Sequence, residues 1–357
     1  MFGFALEGRL RLLALACIVS VCVAGCSGKT PSTSAGSSAS GGSLKIGMVT
    51  DVGGLGDKSF NDSAYNGLQR AKKDLNVGIT VLQSRAVSDY EPNLSTLAQQ
   101  GDTLVFAIGF LMHDSLNDVA PRFSSTHFAI IDSIVDQPNV TSVTFKEEES
   151  SFLAGVLAGL TTKKNVVGFL GGIQSPLIEK FRDGYEAGVK SVNPKAQVLI
   201  KYTGSFDDVA SGKEYTALLY DQGADIVYAA AGKCGLGAID EAKGRPSGYY
   251  VIGVDSDQDA LAPGKVLTSA LKHVDNAVYK LVGDVVKGSV LSGHIVLGLK
   301  EDGVGLTTMK YTRSLVPPGA LATVERYRQA IIRGVIKVPS TADELKNFHP
   351  VSPTALK

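Results

Sequence analysis

Lys45-Ile46-Gly47-Met48-Val49-Thr50-Asp51 is the stretch on which the fold turns. A short apolar run ended by a carboxylate reads as a buried strand that delivers a polar residue at its C-terminal end. The turn-rich loop Val52-Gly53-Gly54-Leu55-Gly56-Asp57 follows. Asp57 or Ser59 is then placed to cap a helix from Phe60 to Leu75, whose inward face carries Ala64, Leu68 and Ala71. Strand, turn and amphipathic helix in that order open an α/β domain.

The same rhythm continues outward. Strands are expected at 79–82, 104–108, 128–132 and 140–145, with helices at 93–100 and 114–123. A second run follows, with helices at 150–161, 177–192, 207–222 and 237–243 and strands at 166–170, 198–202, 226–229 and 249–254. A strand at 266–270, a helix at 275–287, a strand at 295–299 and a helix at 320–333 close the series. Such alternation implies parallel sheets with helices on both faces, and two runs imply two doubly wound lobes. If the chain crosses near Phe145, Lys272 and Leu297, three connections form a hinge. The division expected is 44–145 plus 272–296 for the N-terminal lobe and 146–271 plus 297–340 for the C-terminal lobe. Residues 341–357 form a polar tail without periodicity.

Upstream of the first strand the composition changes. Arg9 and Arg11 precede an apolar run at 12–24, which is too short and too early for a membrane-spanning helix. The run ends in Val23-Ala24-Gly25-Cys26, small residues before a cysteine, followed by a Gly/Ser spacer to Ser43. This reads as a signal peptide at 1–25, a lipid-bearing Cys26 and a linker at 26–43. An ordinary signal peptide cut nearby, or an N-terminal anchor, is the other reading. Two acyl chains, at about 0.8 kcal/mol per buried methylene, hold a soluble domain at a membrane face. Of Cys17, Cys22, Cys26 and Cys234, only Cys234 would remain free in the processed chain, so an internal disulfide is excluded there and the core must hold the fold. The 35 basic and 35 acidic residues cancel and no basic run stands out, which argues against a nucleic-acid partner.

In open parallel sheets, ligands bind beyond the carboxyl ends of the strands. The residues found there are Asp57-Lys58-Ser59-Phe60-Asn61-Asp62, Gly109-Phe110 and Asp132 in the first run. The second run gives Gly204-Ser205-Phe206-Asp207, Gly232-Lys233-Cys234-Gly235 and Asp255-Ser256-Asp257. The set is rich in carboxylates, with an aromatic from each run, and poor in His and Cys. The first strand followed by Gly56-Asp57-Lys58-Ser59-Phe60-Asn61-Asp62 resembles the opening of the BMP (basic membrane protein) family of lipoprotein receptors for ABC importers of purine nucleosides. Phe181-Arg182-Asp183-Gly184-Tyr185, Gly204-Ser205-Phe206-Asp207-Asp208, Val254-Asp255-Ser256-Asp257-Gln258 and Gly298-Leu299-Lys300-Glu301-Asp302-Gly303-Val304 extend the resemblance across nearly the whole domain.

The resemblance implies a type I periplasmic-binding-protein fold that closes on a nucleoside and hands it to a permease, acting as a monomer outside the cytoplasm. It implies that Phe60 and Phe206 sandwich the purine and that Asn61 and Asp132 read base edges. Asp62, Asp255 and Lys272 would hold ribose hydroxyls, with the Gly232 backbone nearby. Stacking of a base on an aromatic is worth about 1–3 kcal/mol. Carboxylates, which only accept, suit the O–H and N–H donors of an uncharged ligand. Asp255 and Lys272 are expected to pair in an empty cleft. The chain departs from the family's Gly-Gly-Thr-Gly type loop at Gly232-Lys233-Cys234-Gly235, which alters the second-lobe wall.

On pattern alone these residues have plainer readings. Phe60 serves as a helix staple, Phe206 as a core aromatic, Asp132 and Asp255 as helix caps, and Lys272 as a surface cation. Cys234 reads as an inert small residue, and Glu147-Glu148-Glu149 as a solvated helix start. His113, His127, His273, His294 and His349 show no metal-ligand spacing. There is no Gly-x-Ser-x-Gly elbow, no complete phosphate loop around Ser211-Gly212-Lys213-Glu214 and no cofactor fingerprint. A receptor for a sugar or another small polar ligand shares the expected fold. An exported enzyme or a cytoplasmic repressor is disfavoured, the latter because a leader stands where a helix-turn-helix would be needed.

Overall fold

A computed structural model of the chain describes residues 44–289 and 292–356. The expected leader, the acyl-acceptor Cys26 and the spacer lie outside the described residues. The first run comprises β1 (Lys45–Thr50), α1 (Phe60–Leu75), β2 (Gly78–Gln83), α2 (Tyr90–Gln99), β3 (Leu104–Ile108), α3 (His113–Val119), β4 (His127–Ile131) and β5 (Val140–Phe145). The second comprises α4 (Glu147–Thr161), β6 (Val166–Gly171), α5 (Pro176–Val192), β7 (Gln197–Tyr202), α6 (Val209–Asp221), β8 (Ile226–Ala230), α7 (Cys234–Gly244), β9 (Tyr250–Asp255) and β10 (Val266–Lys272). The chain ends in α8 (Val274–Val286), β11 (Gly293–Leu297), β12 (Val304–Leu306), α9 (Ala320–Ile332) and α10 (Ala342–Lys346).

The strands form two six-stranded sheets, ordered β2-β1-β3-β4-β5-β11 and β7-β6-β8-β9-β10-β12. The first is parallel throughout. The second is parallel except for β12, which runs antiparallel to β10. The same strand order recurs in both halves, so this is the α/β architecture of two doubly wound sheets that the alternation predicts. The central strands β1, β3 and β8 are buried almost throughout, as expected where helices cover both faces.

The chain passes between the sheets at three places: after β5 at Lys146, after β10 at His273, and across 298–303 between β11 and β12. The passages lie side by side. Lys146 N donates to Leu297 O at 3.0 Å and His273 N to Gly303 O at 2.8 Å. Leu299 N donates to Glu149 Oε2 at 2.7 Å.

Three details depart from the expectations. The helix placed at 150–161 begins at Glu147, and Glu147 is fully buried rather than solvated. The short antiparallel β12 was not foreseen. The segment after α9 is not a loose polar tail, because Phe348 packs edge-on against Phe152 at 6.1 Å and the Tyr327 hydroxyl donates to Val351 O at 2.6 Å.

Candidate ligand-binding site

Between the carboxyl ends of the two sheets lies a cavity of about 530 Å³, counted as all space between atoms including its mouth. The place is the one parallel sheets prescribe. The lobes meet across it. Ser59 Oγ donates to Asp255 Oδ2 at 2.6 Å, Ser256 Oγ donates to Ser59 O at 3.1 Å, and Gln258 Nε2 donates to Lys58 O at 3.0 Å. Phe110 from the first lobe sets its ring edge-on to Phe206 from the second, 6.2 Å between centroids. The structure is therefore a closed arrangement.

The first-lobe wall is built at the start of α1. The Asp57 carboxylate accepts from the backbone amides of Ser59 at 2.9 Å, Asn61 at 2.8 Å and Asp62 at 3.0 Å, so Asp57 is the cap. Ser59 makes no cap hydrogen bond, which leaves its hydroxyl for Asp255. Asn61 Nδ2 donates to Asp51 Oδ1 at 2.8 Å and to Asp57 Oδ2 at 3.2 Å. Asn61 Oδ1 is buried with no partner. Burial pushes the Asp51 carboxyl up to about 6, against the hydrogen bonds from Asn61 and Gly53, and raises Asp57 as well.

The second-lobe wall follows β7, β8 and β9. Phe206 is largely buried and lines the cavity. Gly232 adopts φ 54°, and a Cβ there would stand 3.2 Å from Phe206 O, so the position needs glycine. Asp132 and Asp255 also take left-handed backbone, at φ 70° and 63°, which aspartate tolerates better than most residues.

At the floor, Lys272 joins the lobes. Its ammonium stands 2.6 Å from Asp132 Oδ2, 3.7 Å from Glu147 Oε1 and 3.9 Å from Asp255 Oδ1. It also lies over the Phe60 ring, 4.7 Å from the centroid. Burial alone would lower the lysine, but the three carboxylates hold it above the ordinary lysine range. Burial pushes Asp255 up to about 6, opposed by Lys272 and the Ser59 hydroxyl, and it raises Glu147 too. Lys180 adds a second cation, its ammonium donating to Glu147 Oε2 at 3.3 Å, yet Asp132 Oδ1 still has no partner.

Phe60, Asn61, Asp132, Phe206, Gly232, Asp255 and Lys272 all line this one cavity. Asp62 does not line it. Its oxygens accept from Gly56 N at 2.7 Å and Lys58 N at 3.1 Å, so it closes the loop before α1. The expected Asp255–Lys272 pair is the longest of three, and Asp132 is the nearest partner. Neither Asp132 nor Asp255 caps a helix. The reading from strand ends gave no role to Asp51, which lines the cavity and terminates β1, nor to Leu177, Ile178 and Phe181 of α5. The strand-end position of Asp51 was a usable signal. Phe181 lies within a helix, and only its place in the family-like segment Phe181-Arg182-Asp183-Gly184-Tyr185 could have pointed to it.

Comparison with known proteins bears on this site. Residues 44–342 match the Bmp family profile, described as ABC transporter substrate-binding protein PnrA-like. The chain is 41% identical over 318 residues to the Lactococcus lactis ABC transporter nucleoside-binding protein BmpA, covering 83% of this chain and 89% of that one. It is 37% identical over 357 residues to the CD4+ T-cell-stimulating antigen of Listeria innocua, covering 94% and 99%. Among solved structures, an ABC transporter solute-binding protein from Aeropyrum pernix superposes with a TM-score of 0.77 at 30% identity, covering 85% of this chain and 96% of that one.

Proposed function

The chain belongs to the Bmp family of PnrA-like ABC transporter substrate-binding proteins, and from that premise we propose that it captures a purine nucleoside by closure of its lobes and delivers it to an ABC permease. Lipid at Cys26 would keep it at the outer face of the cell membrane, with the spacer at 26–43 as tether. The lobes are taken as 44–145 plus 272–296 and 146–271 plus 297–340, and the three adjacent passages as the hinge.

The observation that carries the reading is the cavity itself. Phe60 and Phe206, one from each lobe, line the same closed space with Asp132, Asp255 and Lys272. A flat heterocycle stacks favourably on aromatic rings, and ribose hydroxyls can donate to carboxylates. A ligand that touches both lobes favours the closed state by those contacts. The name of the Lactococcus lactis relative supports the class of ligand. Asp62 is left out of this ligand set, because it does not line the cavity and its carboxylate closes the loop before α1.

The test is calorimetry of the purified protein with guanosine, inosine, adenosine and ribose, after mass spectrometry of any small molecule that co-purifies. Phe60→Ala and Phe206→Ala should each weaken nucleoside binding by about 1–3 kcal/mol through loss of one stacking face. Nucleoside affinity unchanged in both variants, or tight binding of a sugar alone, overturns the reading.

A further inference from the structure

The buried amide of Asn61 can point only one way. Its NH2 group is held by two carboxylates, Asp51 Oδ1 at 2.8 Å and Asp57 Oδ2 at 3.2 Å, and neither ionised carboxylate could donate to an amide oxygen. The amide orientation is therefore fixed, and Oδ1 is a buried atom without a partner in a cavity-lining side chain. A buried orphan acceptor is costly unless a ligand N–H or O–H satisfies it.

The cavity lining also offers a donor without a side-chain partner. Two lysines occur among the described lining residues. Lys272 is committed to Asp132, Glu147 and Asp255. Lys233 has no side-chain hydrogen bond or ion pair among the described residues. Its backbone N donates to Phe206 O at 2.9 Å, which ties it to the proposed stacking residue. Gly53 bridges the two walls here, since a Cβ on it would lie 3.2 Å from Asn61 Nδ2 and 3.8 Å from Phe206 O. Asn61 and Lys233 therefore flank the same end of the cavity.

Resting on the nucleoside reading, we propose that this end selects 6-oxopurine nucleosides over adenosine. Asn61 Oδ1 accepts from the base N1–H, and the Lys233 ammonium donates to the adjacent O6 and N7. A 6-oxopurine presents that donor beside two acceptors, whereas adenine carries an amino group at C6 and a lone pair at N1. In adenine the N1 lone pair would face an acceptor, and the amino group would face a cation. Asp51 and Asp57 are positioning residues that hold the Asn61 amide.

Calorimetry on the full chain in detergent micelles, with inosine, guanosine, adenosine and 1-methylinosine, tests this. Inosine and guanosine should bind about tenfold or more tighter than adenosine, and 1-methylinosine should lose at least as much, because a site built on buried hydrogen bonds rejects ligands lacking the donor. Lys233→Met should shrink the inosine-to-adenosine ratio about tenfold, the worth of a charge-assisted hydrogen bond. Equal binding of inosine and adenosine, unimpaired 1-methylinosine, or an unchanged ratio in Lys233→Met overturns the selectivity while leaving nucleoside capture standing. Binding of no nucleoside overturns both. The methylated ligand makes the test independent of how any variant folds.

Discussion

Asp255 gives the fold a pH dependence whose sign can be worked out. Its carboxyl sits at about 6 in the folded chain, raised from 3.8 chiefly by burial. Between those values the native state keeps a proton that the unfolded chain has released. Unfolding free energy therefore falls as pH rises through this window, and the contribution present below the lower value is gone above the upper one. Asp51, also raised to about 6, adds a slope of the same sign. Urea unfolding from pH 4 to 7 should show declining stability, and Asp255→Asn should make the decline shallower without abolishing it, because Asp51 remains. Parallel wild-type and variant curves would refute the assignment. The residues of this cluster were legible because one rule, that ligands sit beyond strand ends, selects Asp132 and Asp255 together. Their partners were not. That Lys272 meets Asp132 before Asp255 depends on how two sheets face each other, and that Glu147 is buried beside it depends on the passage from β5 into α4. Asp62 misled because it shares a loop with true lining residues while its carboxylate turns back to Gly56 and Lys58.

Among the elements, α4 and α5 pack more closely than any side chain allows. A Cβ on Gly188 would collide with the Phe152 carbonyl, and one on Gly155 with the Tyr185 carbonyl. Gly188→Ala must push the helices apart and should cost about 1–3 kcal/mol, read as a lower urea midpoint with the ligand affinity of the folded protein retained. An unchanged midpoint would show that the contact relaxes freely. These helices were readable in the sequence, and so were most strands, because a 3.6-residue period and a short buried run are distinct signals. The element α1 falls from Phe60 to Leu75, as its spacing predicts. The sequence could not show β12. Three residues centred on Gly305 carry no period, and the pairing of β12 with β10 is made only by the returning chain. The C-terminal segment was equally silent, since Phe348 and Leu356 pack as isolated anchors rather than along a stripe.

At the scale of the whole molecule, the floor of the cavity and the passages between lobes are one piece of structure. Lys272 is the last residue of β10 and Glu147 the first of α4, so each adjoins a passage, while Asp132 and Asp255 end strands of opposite sheets. In the proposed closure three carboxylates come around the Lys272 ammonium, with Lys180 a second cation on Glu147, and Lys272 is the one that meets all three. Removing one partner from a buried charge cluster costs about 3–5 kcal/mol, because the remaining charges stay desolvated and unpaired. In the proposed closure, an open state that admitted water to those carboxylates would leave the penalty on the closed state. Small-angle scattering of the chain expressed without its leader should show wild type contracting when inosine is added at pH 7.5. Lys272→Met should fail to contract at that pH, even at ligand concentrations that compensate for a weakened site. Lowering the pH should restore part of the contraction in the variant, because Asp255, raised by burial and no longer held down by Lys272, then takes up a proton. A Lys272→Met protein that contracts like wild type at pH 7.5 would show that the cluster fills the floor without governing closure.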